Sequence, residues 1–338
     1  MNKTALVVLM TAFLIGSCKE VPENPEDDLT IALEGWEISK LTYDFDINPR
    51  DMFFVDENIG FVAGYNGAIY KTTDAGTTWR KLNSGTTLHL HSVYFIDENV
   101  GFVSSHAMSD CLDADCDKGS VLLKTINGGD TWTKTYFPDY IRILSLKFFN
   151  HLNGIAIIHK KDIPNSRDEY VATTSDGGLK WNLLDLEIKP YCSGIYFVDN
   201  IAFVPGENNQ IFKSKDYGLT WQTISTPIES NYDVRNIYFY NENIGYVDGV
   251  THIYKTIDGG INWEETNFPF NYFGTFHFSS ENEGFNIQSI AKYEDLDFPI
   301  FKGSISYETL DGGTTWTKSE IIKTLYLGMT FFPRKDLG

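Results

Sequence analysis

Hydrophobic residues recur along the chain in short runs of Val, Ile, Phe and Tyr, and Gly, Asn and Asp separate the runs. A representative segment starts at Phe54, reaches Gly60 six residues later and continues with the runs 61–64 and 68–72. The same interval recurs at 95–101, 148–154, 239–245 and 278–284, whereas Phe197 begins the pattern without the glycine. Runs of this length and composition predict β-strands joined by tight turns.

A polar segment of fixed order, called the box here, follows each set of runs. It reads Ser or Thr, any residue, Asp or Asn, any residue, Gly, two residues and Trp. The six boxes are Thr72–Trp79, Thr125–Trp132, Thr174–Trp181, Ser214–Trp221, Thr256–Trp263 and Thr309–Trp316. Each repeat of roughly 40–50 residues holds four runs: strand A at the Phe, B after the Gly, C before the box and D after the Trp. This pattern predicts an all-β chain, a β-propeller of four-stranded blades with six complete blades and half of a seventh.

The box residues suit a structural role. The Asp side chain closes an Asx turn, the Gly adopts a left-handed backbone, and the Trp supplies apolar area for blade packing. Because the boxes are spread evenly over the blades, their acids are predicted not to converge on a catalytic or metal site. The structural box residues are Asp74, Trp79, Asn127, Trp132, Asp176, Trp181, Asp216, Trp221, Asp258, Trp263, Asp311 and Trp316.

The boxes resemble the Asp-box, or BNR, repeat of sialidases, sortilin-type receptors and xyloglucanases. The fuller unit, in which the Phe-to-Gly segment and the box are joined by an Ile-x-Lys-Thr run, is most similar to photosystem II stability and assembly-factor propellers and their non-photosynthetic bacterial relatives. The resemblance covers about residue 36 to the C-terminus. It implies a propeller fold and says little about function, because one fold hosts many sites.

Both ends of the repeat region contain unpaired pieces of a blade. Trp36 is the only Trp outside a box, and its distance from Phe54 matches the spacing from strand D to strand A elsewhere. Near the C-terminus, Phe332 and Gly338 repeat the strand A pattern with no strand B behind it. We expect these ends to share a seventh blade, which would remove an exposed edge. Either the chain is truncated there, which we favour, or the seventh blade is naturally incomplete.

The N-terminal residues predict export and lipid anchoring. Lys3 precedes an apolar run too short to span a bilayer, and the run ends in Leu14-Ile-Gly-Ser-Cys18, which resembles a bacterial lipobox. The resemblance implies a signal peptide over 1–17 and acylation of Cys18; an ordinary signal peptide is the alternative. Residues 18–34 are predicted to be an acidic flexible tether and 35–338 the propeller. The expected location is the cell envelope, at the outer membrane, on its periplasmic or its outer side.

Charge and cysteine content limit the other possibilities. The formal net charge of −19 argues against nucleic-acid binding and against any membrane contact beyond the lipid anchor. Cys111 and Cys116 lie in an acidic insertion and predict a disulfide in an oxidising compartment. In the same insertion Asp113, Asp115 and Asp117 alternate as calcium ligands do, so Ca²⁺ is a second interpretation and a plain acidic loop a third. No other cofactor is expected.

A binding site is predicted where the strand A loops open around the central channel. The connections from D to A and from B to C share one face of a propeller, and the boxes lie on the opposite face. Positions six and four residues before each strand A Phe should form the rim of the channel. The rim candidates are Asn48, Arg50, His89, His91, Arg142, Tyr191, Asp233, Arg235, Tyr272 and Tyr326. Arg and aromatic enrichment is typical of binding surfaces.

Two functions compete for this rim. The first is a monomeric protein-binding or envelope-complex assembly module, with Arg50, Arg142 and Arg235 receiving an acidic group of the partner. The second is a glycan-binding or sialidase-like propeller. A sialidase needs an arginine triad, a Tyr–Glu nucleophile pair and an acidic partner, and retaining or inverting glycosidases need paired carboxylates. The three Arg match the triad in number, but Asp233 is the only acid at these positions. We therefore predict no catalytic residues and favour the binding module.

Overall fold

The computed structural model describes most of the repeat region. The described residues are 5–8, 36–39, 49–106, 118–160, 169–184, 194–206, 208–229, 234, 236–249, 252–268, 274–292 and 300–322. They form β-strands and turns, and none of them forms a helix long and apolar enough to cross a membrane.

Six four-stranded antiparallel units follow one another along these residues, as the repeat predicts. Blade 1 comprises β3 (Pro49–Phe54), β4 (Gly60–Gly64), β5 (Ala68–Thr72) and β6 (Arg80–Asn83). Blade 2 comprises β7 (His89–Phe95), β8 (Gly101–His106), β9 (Ser120–Thr125) and β10 (Thr133–Phe137). Blade 3 comprises β11 (Tyr140–Phe148), β12 (Gly154–Lys160), β13 (Glu169–Thr174) and β14 (Asn182–Leu183).

The second half repeats this arrangement. Blade 4 comprises β15 (Tyr196–Val198), β16 (Ile201–Pro205), β17 (Gln210–Ser214) and β18 (Gln222–Ser225). Blade 5 comprises β19 (Asn236–Phe239), β20 (Gly245–Asp248), β21 (Ile253–Thr256) and β22 (Glu264–Glu265). Blade 6 comprises β23 (Gly274–Phe278), β24 (Gly284–Lys292), β25 (Ile300–Thr309) and β26 (Thr317–Ile322). Consecutive meanders of this kind are the blades of a β-propeller, and the fold prediction is confirmed.

The predicted strand around Trp36 is present as β2 (Trp36–Ser39). It pairs in parallel with β1 (Ala5–Val8), which lies in the predicted signal peptide. The seventh-blade partner predicted for β2, around Phe332, lies outside the described residues. The half-blade at the ends therefore stays a prediction.

The fixed Phe-to-Gly interval has a steric cause. In five blades the strand A Phe lies directly opposite the first Gly of strand B, as Phe54 lies opposite Gly60. A Cβ atom on these five glycines would lie only 2.4–2.8 Å from the opposing ring, so the ring covers the bare backbone of the glycine. In blade 4 the register partner of Phe197 is Ala202.

Aromatic stacks and lysines join consecutive blades. The strand B ring of one blade stacks on the strand A Phe of the next, for example Phe61 on Phe95 with centroids 3.5 Å apart. The strand C lysine then donates to a carbonyl in the next box, as Lys71 does to Gly128 at 3.1 Å. Equivalent bonds join Lys124 to Gly177, Lys213 to Gly259 and Lys255 to Gly312. The repeated Lys-Thr pair thus serves two blades, because the Thr belongs to its own box.

The junction between blades 3 and 4 departs from this scheme. Ile155 replaces the strand B aromatic residue, and Thr173 replaces the lysine. Phe197 stacks instead on Phe149, with centroids 4.2 Å apart. An aliphatic cluster around Ile155 fills this interface without the hydrogen bond that joins the other described pairs of blades.

The boxes form the hydrogen bonds expected of a structural turn. In the first box Thr72 Oγ1 accepts the Gly76 N–H at 2.9 Å, and Asp74 accepts both the N–H and the hydroxyl of Thr78, at 2.8 and 2.6 Å. The second box carries Asn127, whose side-chain nitrogen donates to the Thr131 hydroxyl at 2.9 Å. The threonine hydroxyl therefore reverses its role, from donor to acceptor, and the turn is kept.

The same contacts predict an acid-sensitive contribution to stability. Hydrogen bonds from Asn262 lower the pKa of Asp258 to about 2, and those from Thr78 and Thr315 lower the pKa of Asp74 and Asp311. A lowered folded-state pKa stabilises the fold above the unfolded value of about 3.9, and this stabilisation is lost as pH falls towards the folded pKa. We expect the melting temperature to fall steeply between about pH 4 and pH 2.

Asparagine substitutions isolate this effect. Asp74, Asp216 and Asp311 each face a threonine hydroxyl four residues on, as Asn127 does, so a triple Asp→Asn variant should keep its turns. Its melting temperature, followed by circular dichroism from pH 7 to pH 2, should decline less below pH 4 than that of the wild type. Identical slopes would show that the box carboxylates do not contribute to acid unfolding.

Candidate functional site

Contacts between turns define two faces of the propeller. On the box face, five of the six boxes donate a backbone N–H to the turn between strands A and B, as Gly128 does to Asn99 at 2.8 Å. On the opposite face, called the rim face here, the turn between strands B and C contacts the start of the next strand A, as Gly67 N–H does with Leu88 O at 2.9 Å. The predicted division into two faces is therefore present in the described blades.

Four of the predicted rim residues are described, and all four lie on the rim face of blades 1 to 3. They are Arg50, His89, His91 and Arg142. The other candidates lie outside the described residues: Asn48, Tyr191, Asp233, Arg235, Tyr272 and Tyr326. Cys18, Cys111, Cys116, Asp113, Asp115 and Asp117 also lie outside them, so the anchor, the disulfide and the calcium interpretation stay predictions.

A repeated β-bulge places the side chains four residues before the strand A Phe. The register shifts at Arg50 in blade 1, at His91 in blade 2 and at Leu144 in blade 3. A bulge inserts one extra residue and redirects its side chain, and bulges are common beside functional sites. The equivalent position in blade 5 is Arg235, which the structure does not describe.

Arg50, Tyr65 and His89 form a stack that links blades 1 and 2. The Arg50 guanidinium donates to the Tyr65 hydroxyl and lies 4.6 Å from the centre of the Tyr65 ring. The Tyr65 ring stacks on His89 with centroids 4.1 Å apart. His89 Nδ1 accepts the Asn66 N–H at 3.3 Å. The stack holds the exposed cation of Arg50 in one place at the mouth of the channel.

His91 lies within the electrostatic reach of two arginines. Burial lowers its pKa, and the charges of Arg50 and Arg142 lower it further. Arg50 and Arg142 are 92 residues apart in the sequence, but the fold brings both within electrostatic reach of this one imidazole. Because the lowered pKa keeps His91 neutral near pH 7, the two guanidinium groups supply the positive charge.

Arg142 has an unused hydrogen-bond donor. Its backbone pairs with His159 in its own blade and with His106 of β8, so blades 2 and 3 join into one eight-stranded sheet. Its side chain is half-buried, and its Nε atom is buried with no hydrogen-bond partner among the described residues. Buried donors without a partner are rare and costly, so Arg142 lacks the complete set of hydrogen bonds that a structural arginine usually has.

A second pair of charges lies deeper, where the A strands of blades 1 to 3 converge. The Asp51 carboxylate accepts the Val93 N–H at 2.8 Å. The Lys147 ammonium lies 4.9 Å from the Tyr94 ring centre. Burial raises the pKa of Asp51 and lowers that of Lys147, and each charge opposes the shift of the other. Asp51 thus bonds to blade 2 and interacts electrostatically with Lys147, and the described residues contain no ion pair between Asp51 and Arg50.

The structure adds three side chains that the repeat counting missed. Tyr65, His159 and Glu169 come from strands B and C or from the turn between them, whereas the counting is anchored on strand A alone. The repeat spacing predicts a long loop between strands B and C of blade 3 over residues 159–169, but residues 159–160 and 169 extend strands β12 and β13. To find His159 and Glu169 from the sequence, strands B and C of blade 3 would have to be predicted longer than those of blade 1. Among the described residues, no group of three or more His, Cys, Asp or Glu side chains is placed to hold a metal ion.

Comparisons with known proteins agree on the fold. No known family profile matches the sequence. A stretch of 46 residues is 48% identical to the photosystem II assembly lipoprotein Ycf48 of Prochlorococcus marinus, and it covers 14% of this chain and 13% of that relative. The chain thus matches only about an eighth of the length of this curated relative.

Solved structures with similar folds fall into two groups. The first includes a structure of YCF48 bound to D1 peptide, with a TM-score of 0.58 and 17% identity over 82% of this chain and 83% of that one. The second includes the GH74 enzyme of Niastella koreensis, with a TM-score of 0.57 and 14% identity over 81% of this chain and 45% of the enzyme. It also includes the GH74 xyloglucanase of Xanthomonas campestris, with a TM-score of 0.53 and 11% identity over 80% and 45% of the two chains. At these identities the similarity shows a shared β-propeller fold.

Proposed function

We propose that this chain is a lipid-anchored extracytoplasmic β-propeller that binds a protein partner through its rim face and helps to assemble an envelope complex. The observation that carries the proposal is that Arg50 and Arg142, on the rim face of blades 1 and 3, lie within electrostatic reach of the same His91, on a chain whose formal net charge is −19. Composition alone does not predict a local concentration of positive charge on such a protein. A cationic site on an acidic protein favours an acidic group on the partner.

The chemistry of the two arginines fits a carboxylate. Guanidinium groups donate paired hydrogen bonds to carboxylate oxygens, and Arg142 has a buried Nε donor without a partner in the described structure. The stack of Arg50 on Tyr65 and His89 reduces the conformational freedom that binding would otherwise remove. Two arginines, each held by its own blade, can therefore receive an acidic side chain or a chain terminus.

The comparisons support a protein partner. The similar stretch belongs to a protein named as an assembly lipoprotein, and a solved propeller of similar fold is bound to a peptide. Both are properties of those proteins, and their photosystem context is not part of this proposal. The lipid anchor rests on the Leu14–Cys18 motif, and the envelope location follows from it.

A glycan ligand is the second candidate, and the similarity to GH74 propellers favours it. Binding of the purified protein to xyloglucan, or release of reducing sugar from it, would support this alternative. Binding that is competed by xyloglucan and not by envelope proteins would replace the protein-binding proposal.

The rim arginines provide the direct test. A triple variant with Arg50, Arg142 and Arg235 changed to Gln should keep the fold but lose most of its partner binding, since charge-assisted hydrogen bonds contribute about 1.5–3 kcal/mol each. Partner capture would be measured by affinity purification of the acylated full-length protein from envelope extracts of its own cells. Wild-type capture should weaken as salt is raised.

Arg80→Gln is a matched control. Arg80 follows the first box, on the opposite face, and its side chain is exposed and forms an ion pair with Asp130 at 2.9 Å. This variant removes the same charge and should capture the partner as the wild type does. Capture that depends neither on the three rim arginines nor on salt would move the binding site to the blade sides.

A further inference from the structure

We propose that the rim site takes up an acidic group together with a proton, and that Glu169, set apart from Arg142 on the same sheet, accepts the proton. This inference rests on the proposed function of the rim face. It adds that the protonation state of Glu169 regulates the affinity of the rim face for an acidic group. The coupled step is protonation of the Glu169 carboxylate by solvent, which leaves the charge of Arg142 to the incoming anion.

The first argument is the position of Glu169. Backbone pairing places His89, His106, Arg142, His159 and Glu169 opposite one another in one row across β7, β8, β11, β12 and β13. The row crosses from blade 2 to blade 3 at the pair formed by Arg142 and His106. Polar and ionisable residues therefore follow one line to the mouth of the channel.

The second argument is the incomplete contact between Arg142 and Glu169. Their charges interact, but their atoms form no ion pair within 4.0 Å, and the half-buried Glu169 carboxylate has no hydrogen bond to another described residue. The buried Nε of Arg142 is likewise without a partner among the residues that the structure describes. An acidic group that enters the mouth can pair with the Arg142 guanidinium, with which Glu169 forms no ion pair.

The third argument is electrostatic. Burial raises the pKa of Glu169 to about 7, although the charge of Arg142 acts to lower it. The negative charge of an ionised Glu169 offsets the positive charge of Arg142 and weakens its attraction for an incoming anion, whereas a protonated Glu169 leaves that attraction intact. Because coupling between two bound species is reciprocal, anion binding must then raise the proton affinity of Glu169.

Other titratable and charged groups lie near the site, and their contribution to the pH dependence of binding must be separated from that of Glu169. Arg50 and His91 lie at the mouth, His159 lies opposite Glu169, and Lys160 follows His159 in β12. His106 and His89 continue the row on β8 and β7. A histidine contribution to pH dependence would persist after Glu169→Gln, so this variant separates the carboxylate from the imidazoles.

The first test needs no ligand. In protein labelled with ¹³C at the glutamate carboxyl groups, the resonance that disappears in Glu169→Gln should titrate near pH 7. In Arg142→Gln its midpoint should move upward, because the lowering charge is gone. A midpoint near the ordinary value of about 4.3 would overturn the proposal whatever the rim binds.

The second test uses a fluorescent hexa-aspartate peptide as the acidic probe at constant low ionic strength. If binding requires protonated Glu169, affinity should rise on the order of tenfold from pH 8.5 to pH 6, with roughly 30-fold as the ceiling for a group of pKa about 7. Glu169→Gln should bind at pH 8.5 about as tightly as the wild type does at pH 6. Glu98→Gln, an exposed change on the box face, should leave the wild-type pH profile in place.

The outcomes separate the two claims. Peptide binding that needs Arg142 but keeps the same pH profile in Glu169→Gln overturns the proton coupling and leaves the rim function standing. Peptide binding that is unaffected by Arg142→Gln overturns both.

Discussion

Replacement of Trp181 by alanine is expected to lower the free energy of unfolding by about 3–5 kcal/mol, the range for removal of a buried aromatic side chain. Trp181 is the most buried of the six box tryptophans, with 8% of its surface exposed. Its ring meets Phe148 edge-on with centroids 5.9 Å apart, and Phe148 in turn stacks on Phe102 of blade 2 at 3.7 Å. Loss of the indole would leave a cavity at the interface between two blades.

A conservative variant tests whether packing is the cause. The Trp181 Nε1 atom is buried and has no hydrogen-bond partner among the described residues, whereas Trp79, Trp221 and Trp316 donate theirs to a box glycine carbonyl. Trp181→Phe should therefore cost far less than Trp181→Ala, since it removes an unsatisfied donor and keeps most of the apolar area. Urea unfolding followed by circular dichroism would measure both variants.

Less buried apolar residues serve as controls for the effect of burial on the stability loss. Trp263 packs edge-on against Phe239 at 6.4 Å but is only partly buried, so Trp263→Ala should destabilise less than Trp181→Ala. Leu183→Ala, at a position 37% exposed, should change stability little. A Trp181→Ala variant as stable as Leu183→Ala would contradict the packing role of the box tryptophans.

The fold was predictable because each repeat encodes its blade locally. The Phe-to-Gly interval fixes the hairpin between strands A and B, since the ring of Phe54 needs the bare backbone of Gly60. The box closes the turn between strands C and D with its own side chains. These contacts lie within one repeat, so their spacing is visible in the sequence, and the box recurs six times.

The lysine bonds between blades were harder to predict. The Ile-x-Lys-Thr run is visible in the sequence, but the partner of Lys71 is Gly128 O, 57 residues away in the next box. Thr173 takes the place of this lysine in blade 3. The sequence does not show that the hydrogen bond between blades 3 and 4 is lost as a result, because the partner box is known only from the structure. Periodicity therefore predicts that blades pack, and the structure is needed to identify the bonds between them.

The positions of the rim residues were predictable in part. Counting from the strand A Phe led to Arg50, His91 and Arg142, which lie on one face of the described blades, and their role in binding stays a prediction. The counting did not reveal the β-bulges at Arg50 and His91, although in blade 2 the interval from Leu90 to Val93 breaks the alternation of buried residues. It also missed Glu169, because the counting is anchored on strand A and Glu169 is the first residue of strand C in blade 3.

Replacement of Cys18 by serine is expected to abolish lipid labelling and to release the protein from the membrane fraction. The prediction rests on Leu14 to Cys18, which resembles a lipobox, and on the chemistry of the thiol, which forms the thioether that a hydroxyl cannot replace. Incorporation of an alkyne palmitate analogue and fractionation of the cells would measure both effects. Cys192→Ser, a change of the same kind far from the motif, should keep its label.

Lipoprotein processing at Cys18 would also change which strand pairs with β2 at the start of the propeller. Cleavage before Cys18 would remove β1, the strand that pairs with Trp36–Ser39 in the full-length chain. The mature protein would then have β2 free to join the half-blade predicted at the other end of the chain, where pairing removes an exposed edge. Mass spectrometry of the membrane-bound protein should find an acylated Cys18 at its N-terminus. A labelled Cys18→Ser variant, or a membrane-bound protein that retains residues 1–17, would refute the anchor and leave β1 as the partner of β2.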